Sequence, residues 1–214
     1  MKLHPLFALM LAMAPGVAFA SSITTATVYQ NVPHPDDAGA AGNQGATLAS
    51  ANFTVGPSGI DFETNNSDSA IVSAWLNNPT FSNQANGFNP NGTVDNSELV
   101  ITGFITLNSG NNSFVVGHDD GVVLTIAGFG TVVNAPGPTS LDETPFNVNN
   151  PGAGGDFAFT LEYVECCGGP ADLVLDINKS VITTSTVPEP NSLMLFGTGM
   201  LGFAGAVRRR FFAR

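Results

Sequence analysis

Residues 113–128 read S-F-V-V-G-H-D-D-G-V-V-L-T-I-A-G, and this stretch decides which fold the chain can adopt. Two apolar runs, Phe114–Val116 and Val122–Ile126, flank a polar centre that ends in Asp119, Asp120 and Gly121. Val and Ile favour a pleated, half-buried surface, and Asp and Gly are common where the backbone reverses. We therefore predict a β-hairpin that carries the two adjacent carboxylates at its tip.

Apolar and polar residues alternate in three further segments, which are Leu99–Leu107, Phe157–Tyr163 and Asp172–Asn178. A period of two is typical of antiparallel sheet with one buried face. Short strands separated by Gly- and Pro-rich turns predict a mainly β fold, an antiparallel β-sandwich of jelly-roll type. The stretch from residue 134 to 155 is expected to be a long loop, because Pro, Gly and Asn dominate it.

One short helix is expected in this sandwich, at Ser67–Asn77. Ser67 can cap it, and Asp68 suits the positive end of the helix dipole. Apolar residues four apart give it a stripe, and Trp75 lies on that stripe. We therefore place the single Trp of the chain in the core rather than in a binding site.

The two ends of the chain lie outside this domain. Residues 1–20 combine Lys2, a short apolar run and Ala18-Phe19-Ala20, which predicts a helical signal peptide rather than a membrane anchor. The β-sandwich domain then covers residues 21–182. A linker follows at 183–192, and residues 193–214 form the tail, in which an apolar run precedes Arg208, Arg209 and Arg210.

The domain is strongly acidic. It holds 16 of the 17 acidic residues and, of the six basic residues, only Lys179, so its formal net charge is 1 − 16 = −15. Such a surface repels nucleic acid and anionic lipid. It attracts divalent cations and faces neutral sugars without penalty, and it also keeps an exported protein soluble.

Cys166 and Cys167 are the only cysteines, and they are adjacent. Neighbouring Cα atoms are ~3.8 Å apart across a trans peptide, below the usual disulfide range of ~4.4–6.8 Å. Three states remain open: a vicinal disulfide, two free thiols, or a bridge to another chain. An oxidising exported compartment favours a bond of some kind.

The C-terminal tail has three recognisable parts. Val187-Pro188-Glu189-Pro190 precedes the apolar run Leu193–Val207, and the arginine cluster follows it. Fifteen residues of helix span ~22 Å, less than the ~30 Å of a hydrocarbon core, and the arginines would remain cytoplasmic. A plain membrane anchor is the alternative to a sorting signal.

The tail, from Val187 to Arg214, closely resembles the PEP-CTERM sorting signal of Gram-negative bacteria. That resemblance implies a transmembrane helix, recognition by a membrane-embedded exosortase, cleavage near the Pro-Glu-Pro motif, and release or attachment outside the inner membrane. Proteins with this signal accompany exopolysaccharide and biofilm production. The expected location is therefore the cell surface or the extracellular matrix.

The domain, best between Leu99 and Ile177, resembles the protective-antigen-type β-sandwich shared by flocculins and bacterial glycan-binding modules. The match rests on an apolar strand, Asp-Asp-Gly, and a strand that ends in Gly. A later Tyr163-Val164-Glu165 corresponds to the family's Tyr-x-Glu or Tyr-x-Asn before a small-residue loop. The resemblance implies calcium held by Asp119 and Asp120, with Glu165 where the lectins place an Asn.

Calcium takes six to eight hard oxygen ligands, which the adjacent carboxylates could begin to supply. In the alternative interpretation, Asp119-Asp120-Gly121 is only a turn. His118 is expected to be a partly exposed turn residue, with a ligand role as its alternative. The sequence contains no H-E-x-x-H, G-x-S-x-G or C-x-x-C motif.

These features favour a non-enzymatic, exported, polysaccharide-binding protein, with calcium as its candidate cofactor. Two alternatives stay open: a structural matrix protein without a sugar site, and, more remotely, a polysaccharide hydrolase built on paired acids.

Overall fold

In the computed structural model, the described residues are 22–56, 59–64, 70–177 and 180–181. The predicted signal helix, the linker and the C-terminal transmembrane helix all lie outside these residues. Within the described ranges, no helix has the length and apolarity needed to cross a membrane.

The described residues form twelve strands and one short helix. In chain order they are β1 (Ser22–Gln30), β2 (Ala49–Phe53), β3 (Asp61–Glu63), α1 (Val72–Trp75), β4 (Ser82–Ala85), β5 (Ser97–Leu107), β6 (Gly110–Asp119), β7 (Val122–Ile126), β8 (Gly130–Ala135), β9 (Asp142–Asn150), β10 (Gly155–Glu165), β11 (Asp172–Ile177) and β12 (Ser180–Val181).

The strands form two antiparallel sheets. One sheet has seven strands in the order β4-β2-β1-β5-β10-β7-β8, and the other has five, in which β12-β11-β6-β9 are consecutive and β3 also pairs with β11. Alternate residues of β5, β10 and β11 are buried in one continuous hydrophobic core. The mainly β, antiparallel sandwich expected from the period of two is therefore confirmed.

The predicted β-hairpin at residues 113–128 is wrong. Strand β6 pairs with β9 and β11, whereas β7 pairs with β8 and β10, so the two runs belong to different sheets. Asp119, Asp120 and Gly121 form a corner between the sheets. Position 121 requires glycine because the space beside it is filled: a Cβ atom there would lie 2.0 Å from the carbonyl oxygen of Pro136. The reason is not a positive φ angle.

The helix is shorter than the pattern indicates. It covers only Val72–Trp75, its N-cap is Ile71, and the expected caps at Ser67 and Asp68 lie outside the described residues. The N–H groups of Val72 and Ser73 donate to backbone carbonyls of the 90–92 segment rather than to a side-chain cap.

Trp75 lies in the core, as predicted. It is 3% exposed, packs against Phe62 and Tyr163, and donates its ring N–H to the carbonyl of Ala171.

The long loop expected at residues 134–155 contains an edge strand. Strand β9 pairs with β6 alone from Asp142 to Asn150, and it tolerates Pro145 because an edge strand has one unpaired side. Phe146 and Val148 alternate along it and pack inward. The many Asn residues of the stretch concealed this short period of two.

Candidate functional site

The corner at Asp119–Gly121 is held by hydrogen bonds from two other segments. The Asp120 carboxylate accepts the N–H of Thr139 at 3.0 Å on one oxygen and the N–H of Cys166 at 2.9 Å on the other. The N–H of Val164 donates to the carbonyl of Gly121 at 3.0 Å. The peptide bond between Asp119 and Asp120 is cis. The hydrogen bonds from Thr139 and Cys166 hold the Asp120 carboxylate between the segment after β8 and the loop after β10.

Tyr163 connects the corner to Glu165. Its hydroxyl oxygen lies within hydrogen-bond distance of the carbonyl of Asp119 and 2.6 Å from Oε2 of Glu165. One phenol proton cannot serve two acceptors. A proton on Glu165 resolves the conflict, because the carboxyl group then donates to Tyr163, and Tyr163 donates to Asp119.

Two carboxyl groups at this end of the sandwich, those of Glu165 and Asp119, have raised pKa values. Burial raises the pKa of Glu165 to about 9, the hydrogen bond shared with Tyr163 acts in the opposite direction, and the charges of Asp120 and Asp119 raise the pKa further. Burial, followed by the charge of Asp120, raises the pKa of Asp119 to about 6. The described ranges contain no Lys or Arg, so no cationic side chain there offsets these acids.

Cys166 and Cys167 form a vicinal disulfide in the structure, with their Cα atoms 3.7 Å apart. Cys166 is buried and Cys167 is exposed. The backbone at Cys167 and at the two following glycines has positive φ, with 68° at Cys167. The pair therefore forms a tight bend directly beside the Asp120 carboxylate.

The three predicted calcium ligands can be compared with the geometry. In the part of the chain that the structure describes, one trio of His, Cys, Asp or Glu residues has ligand atoms within 4.8 Å of one another, and it is Asp120, Cys166 and Cys167. Their joined sulfur atoms offer no thiolate. The carboxyl oxygens of Asp119, Asp120 and Glu165 therefore do not all lie within 4.8 Å of one another, which leaves the adjacent Asp119 and Asp120 as the candidate ligands for a hard cation.

His118 does not behave as an exposed turn residue. It is 1% exposed, its Nδ1 atom lies 2.6 Å from the carbonyl oxygen of Asp120, and its Nε2 atom lies 3.1 Å from Oγ1 of Thr144. A carbonyl accepts only, so Nδ1 carries the proton and Nε2 accepts from the hydroxyl. The ring positions the backbone of the corner, and both of its nitrogens are engaged.

Sequence reasoning missed the acids that oppose Asp119. Asp172 lies directly across the β6–β11 pair from Asp119, and Glu63 lies across the β3–β11 pair from Asp172. Opposed like charges are destabilising in a sheet. The register of β3, β11 and β6 brings Glu63, Asp172 and Asp119 side by side, and their spacing along the chain does not indicate this arrangement.

A second acidic cluster lies under the 31–48 loop. Gln44 donates its side-chain N–H groups to Glu98 at 2.8 Å and to Glu162 at 2.6 Å. Glu98 is fully buried, and its second oxygen has no hydrogen-bond partner. Burial raises the pKa of Glu98 to about 7, with the hydrogen bond from Gln44 acting in the opposite direction.

Comparison with known proteins bears on both parts of the chain. Residues 186–210 match the PEP-CTERM protein-sorting motif. No curated protein matches the chain. The fold is similar to a PA14 sugar-binding domain from an RTX adhesin, with a TM-score of 0.52 and 15% identity over 75% of this chain and 90% of that one.

Two further solved structures have a similar fold. The PA14 domain of the antifreeze protein MpAFP has a TM-score of 0.51 and 13% identity, over 80% of this chain and 91% of that one. An anti-sigma factor domain-containing protein has a TM-score of 0.51 and 16% identity, over 79% of this chain and 50% of that one. The chain thus carries a PEP-CTERM sorting motif at residues 186–210, and its described residues have the fold of PA14 domains.

Proposed function

We propose that this protein is an exported, non-enzymatic carbohydrate-binding protein of the surface or extracellular matrix of a Gram-negative bacterium. The sorting motif implies export, transient anchoring in the inner membrane, and processing by an exosortase. The PA14-like fold adds support, because one solved domain with this fold is described as sugar-binding. The proposed ligand is an extracellular polysaccharide.

The observation that carries the proposal is the buried Asp119–Asp120 corner. The two side chains are 6% and 5% exposed, and no Lys or Arg of the described ranges accompanies them. Burying unpaired charges is costly unless a proton or a metal offsets them. Calcium would supply that charge and would leave coordination positions for sugar hydroxyl groups.

The roles of the chain's own residues follow from their contacts. Asp119 and Asp120 would provide the carboxylate oxygens. His118 and Tyr163 hold the backbone carbonyls of Asp120 and Asp119, and so they orient the pair. Glu165 interacts with Tyr163, so we assign it to holding that tyrosine rather than to binding the same ion.

The test compares two pairs of adjacent acids. The variant Asp119→Asn with Asp120→Asn removes the corner carboxylates, and Asp36→Asn with Asp37→Asn removes an exposed Asp-Asp pair of the same kind. Binding of the purified protein to a polysaccharide array is measured with calcium and with a chelator. We expect the corner variant to lose more than about 100-fold in affinity, since even changes outside the ligand shell cost up to that much.

Two results would contradict the proposal. If the corner variant binds polysaccharide as the wild type does, the sugar site lies elsewhere. If the folded wild type binds none, a structural matrix role without a sugar site replaces the proposal. If sugar binding requires Asp119 and Asp120 but does not require calcium, the calcium part of the proposal is wrong and the sugar site remains.

A further inference from the structure

A row of buried polar residues crosses the core-facing side of the seven-stranded sheet at one end. Ser97 on β5 lies directly opposite Gln30 on β1 and opposite Glu165 on β10. Directly opposed residues place their Cβ atoms ~4.5–5.5 Å apart on the same face. All three side chains are buried: Gln30 is 7% exposed, Ser97 is 3% exposed and Glu165 is 2% exposed.

Two oxygen atoms at this end have no hydrogen-bond partner. Gln30 is satisfied, because its amide both donates to and accepts from the backbone of Asn89. Ser97 Oγ and Asp95 Oδ1, in contrast, are buried without a partner. Buried hydroxyl and carboxylate oxygens are normally satisfied, so each of these atoms requires an explanation.

The same place carries uncompensated negative charge. Asp95 is close enough to Glu165 for its charge to act on that carboxyl group, and the described ranges hold no Lys or Arg. A buried water could satisfy the hydroxyl and carboxylate oxygens, but it would leave the charge in place. A hard cation would satisfy the oxygens and offset the charge together.

We propose that Asp95, Ser97 and Glu165 form an interior site for a divalent cation of the calcium type, separate from the Asp119–Asp120 corner. Its side-chain ligands are Asp95 Oδ1, the hydroxyl of Ser97 and the carboxyl group of Glu165, which releases its proton to solvent when the cation binds. It lies inside the end of the sandwich, so its cation stabilises the fold and does not contact sugar.

The first test counts calcium ions by titration calorimetry on the purified, chelator-treated protein. The wild type is expected to bind two per chain. The variants Ser97→Ala with Asp95→Asn, and Asp119→Asn with Asp120→Asn, are each expected to keep one. An exposed pair on the same two strands supplies the matched control, because Thr106 donates to Asp156 at 2.7 Å, and Thr106→Ala with Asp156→Asn should keep both ions.

The single variant Ser97→Ala provides a second test, which applies even if the double variant does not fold. Its thermal unfolding is measured in chelator and in calcium. In chelator, this variant should be at least as stable as the wild type, because it loses an unsatisfied hydroxyl. In calcium, its melting temperature should rise by less than that of the wild type. Equal rises in the two proteins would overturn the interior site and favour a buried water.

The outcome is independent of sugar binding. Calcium bound only at the corner would remove the interior site and leave the proposed function intact. Conversely, the protein could bind no polysaccharide and still lose one calcium ion when Ser97 and Asp95 are replaced. The interior site would then stand, and the proposed sugar binding would be wrong.

Discussion

At the residue scale, Gly121 shows how one missing side chain permits the corner. Its Cα packs so closely against the backbone of Pro136 that the added Cβ of Gly121→Ala would lie 2.0 Å from the carbonyl oxygen. The backbone must move, so we expect a loss of about 3 kcal/mol in the free energy of unfolding, as in overpacked cores. Gly137→Ala is the control, because its Cβ would meet nothing within 4 Å. Urea unfolding of both variants measures the difference, and equal stabilities would contradict this description of the corner.

Also at the residue scale, Glu98 makes stability depend on pH. Its raised pKa of about 7 means that the folded chain holds the proton more tightly than the unfolded chain does. The resulting stabilisation is fully present below pH ~4.5 and is lost as the pH rises to about 7. Tyr29 opposes Glu98 across β1 and β5, and Glu162 and Gln44 face it from β10 and the covering loop.

Glu98→Gln should therefore stabilise the protein at pH 8, where the wild type buries a charged oxygen without a partner. We expect a gain of about 1–3 kcal/mol, the usual cost of such a group, and little change at pH 5. Unfolding in denaturant at both pH values measures this. Glu143→Gln on the exposed edge strand β9 is the control, and a gain that is equal at both pH values would contradict the mechanism.

At the element scale, the 31–48 loop behaves as a packed cover over the outer face of the larger sheet. Fully buried Asn43 holds it, because its side chain accepts the N–H of His34 and donates to the carbonyls of His34 and Asp37. Asn43→Ala removes these bonds and leaves backbone groups unpaired, so we expect a loss of about 2–3 kcal/mol. The loop should also become sensitive to a non-specific protease, since it contains no Lys or Arg for trypsin.

The exposed Asn111, whose side chain donates to that of Asn147 across β6 and β9, gives the control Asn111→Ala. The two variants should differ in the site of first cleavage as well as in stability. If Asn43→Ala is cleaved no faster than the wild type, the loop is held by its backbone contacts alone.

The corner and the edge strand show what local pattern could and could not predict at this scale. Two apolar runs around Asp-Asp-Gly indicate strands correctly, but a hairpin and a sheet-to-sheet corner share that pattern. The choice depends on partners distant in the chain, since β6 pairs with β11 and β7 pairs with β10. Local pattern does not reveal strand β9, because its inward positions include half-buried Thr144 and buried Asn150, which are not apolar.

At the scale of the whole molecule, burial raises the pKa of three carboxyl groups in the part of the chain that the structure describes. The values are about 6 for Asp119, about 7 for Glu98 and about 9 for Glu165. Each group stabilises the fold below its unfolded pKa and loses that contribution as the pH rises through its folded pKa. In chelator, the free energy of unfolding should therefore fall from about pH 5 to about pH 9, and calcium should reduce the slope.

Denaturant titrations at several pH values, with and without calcium, measure this slope. The acidic surface adds self-repulsion in the same direction, which added salt would screen. Repeating the series at two sodium chloride concentrations separates the effect of the buried carboxyl groups from that of surface repulsion, because salt screens buried charges less than surface charges. A stability that rises with pH in chelator would contradict the raised pKa values.

The sequence by itself determined the antiparallel sandwich, because alternation along a strand depends on local order and the buried face needs apolar residues. It also determined the sorting motif of residues 186–210, which is a linear signal. Only the tertiary structure decided that Asp119 and Asp120 turn a corner between sheets, that Glu165 faces Tyr163 and Ser97, and that Glu98 lies buried under a loop. Strand register and sheet order bring these side chains together, and they depend on contacts between residues far apart in the chain.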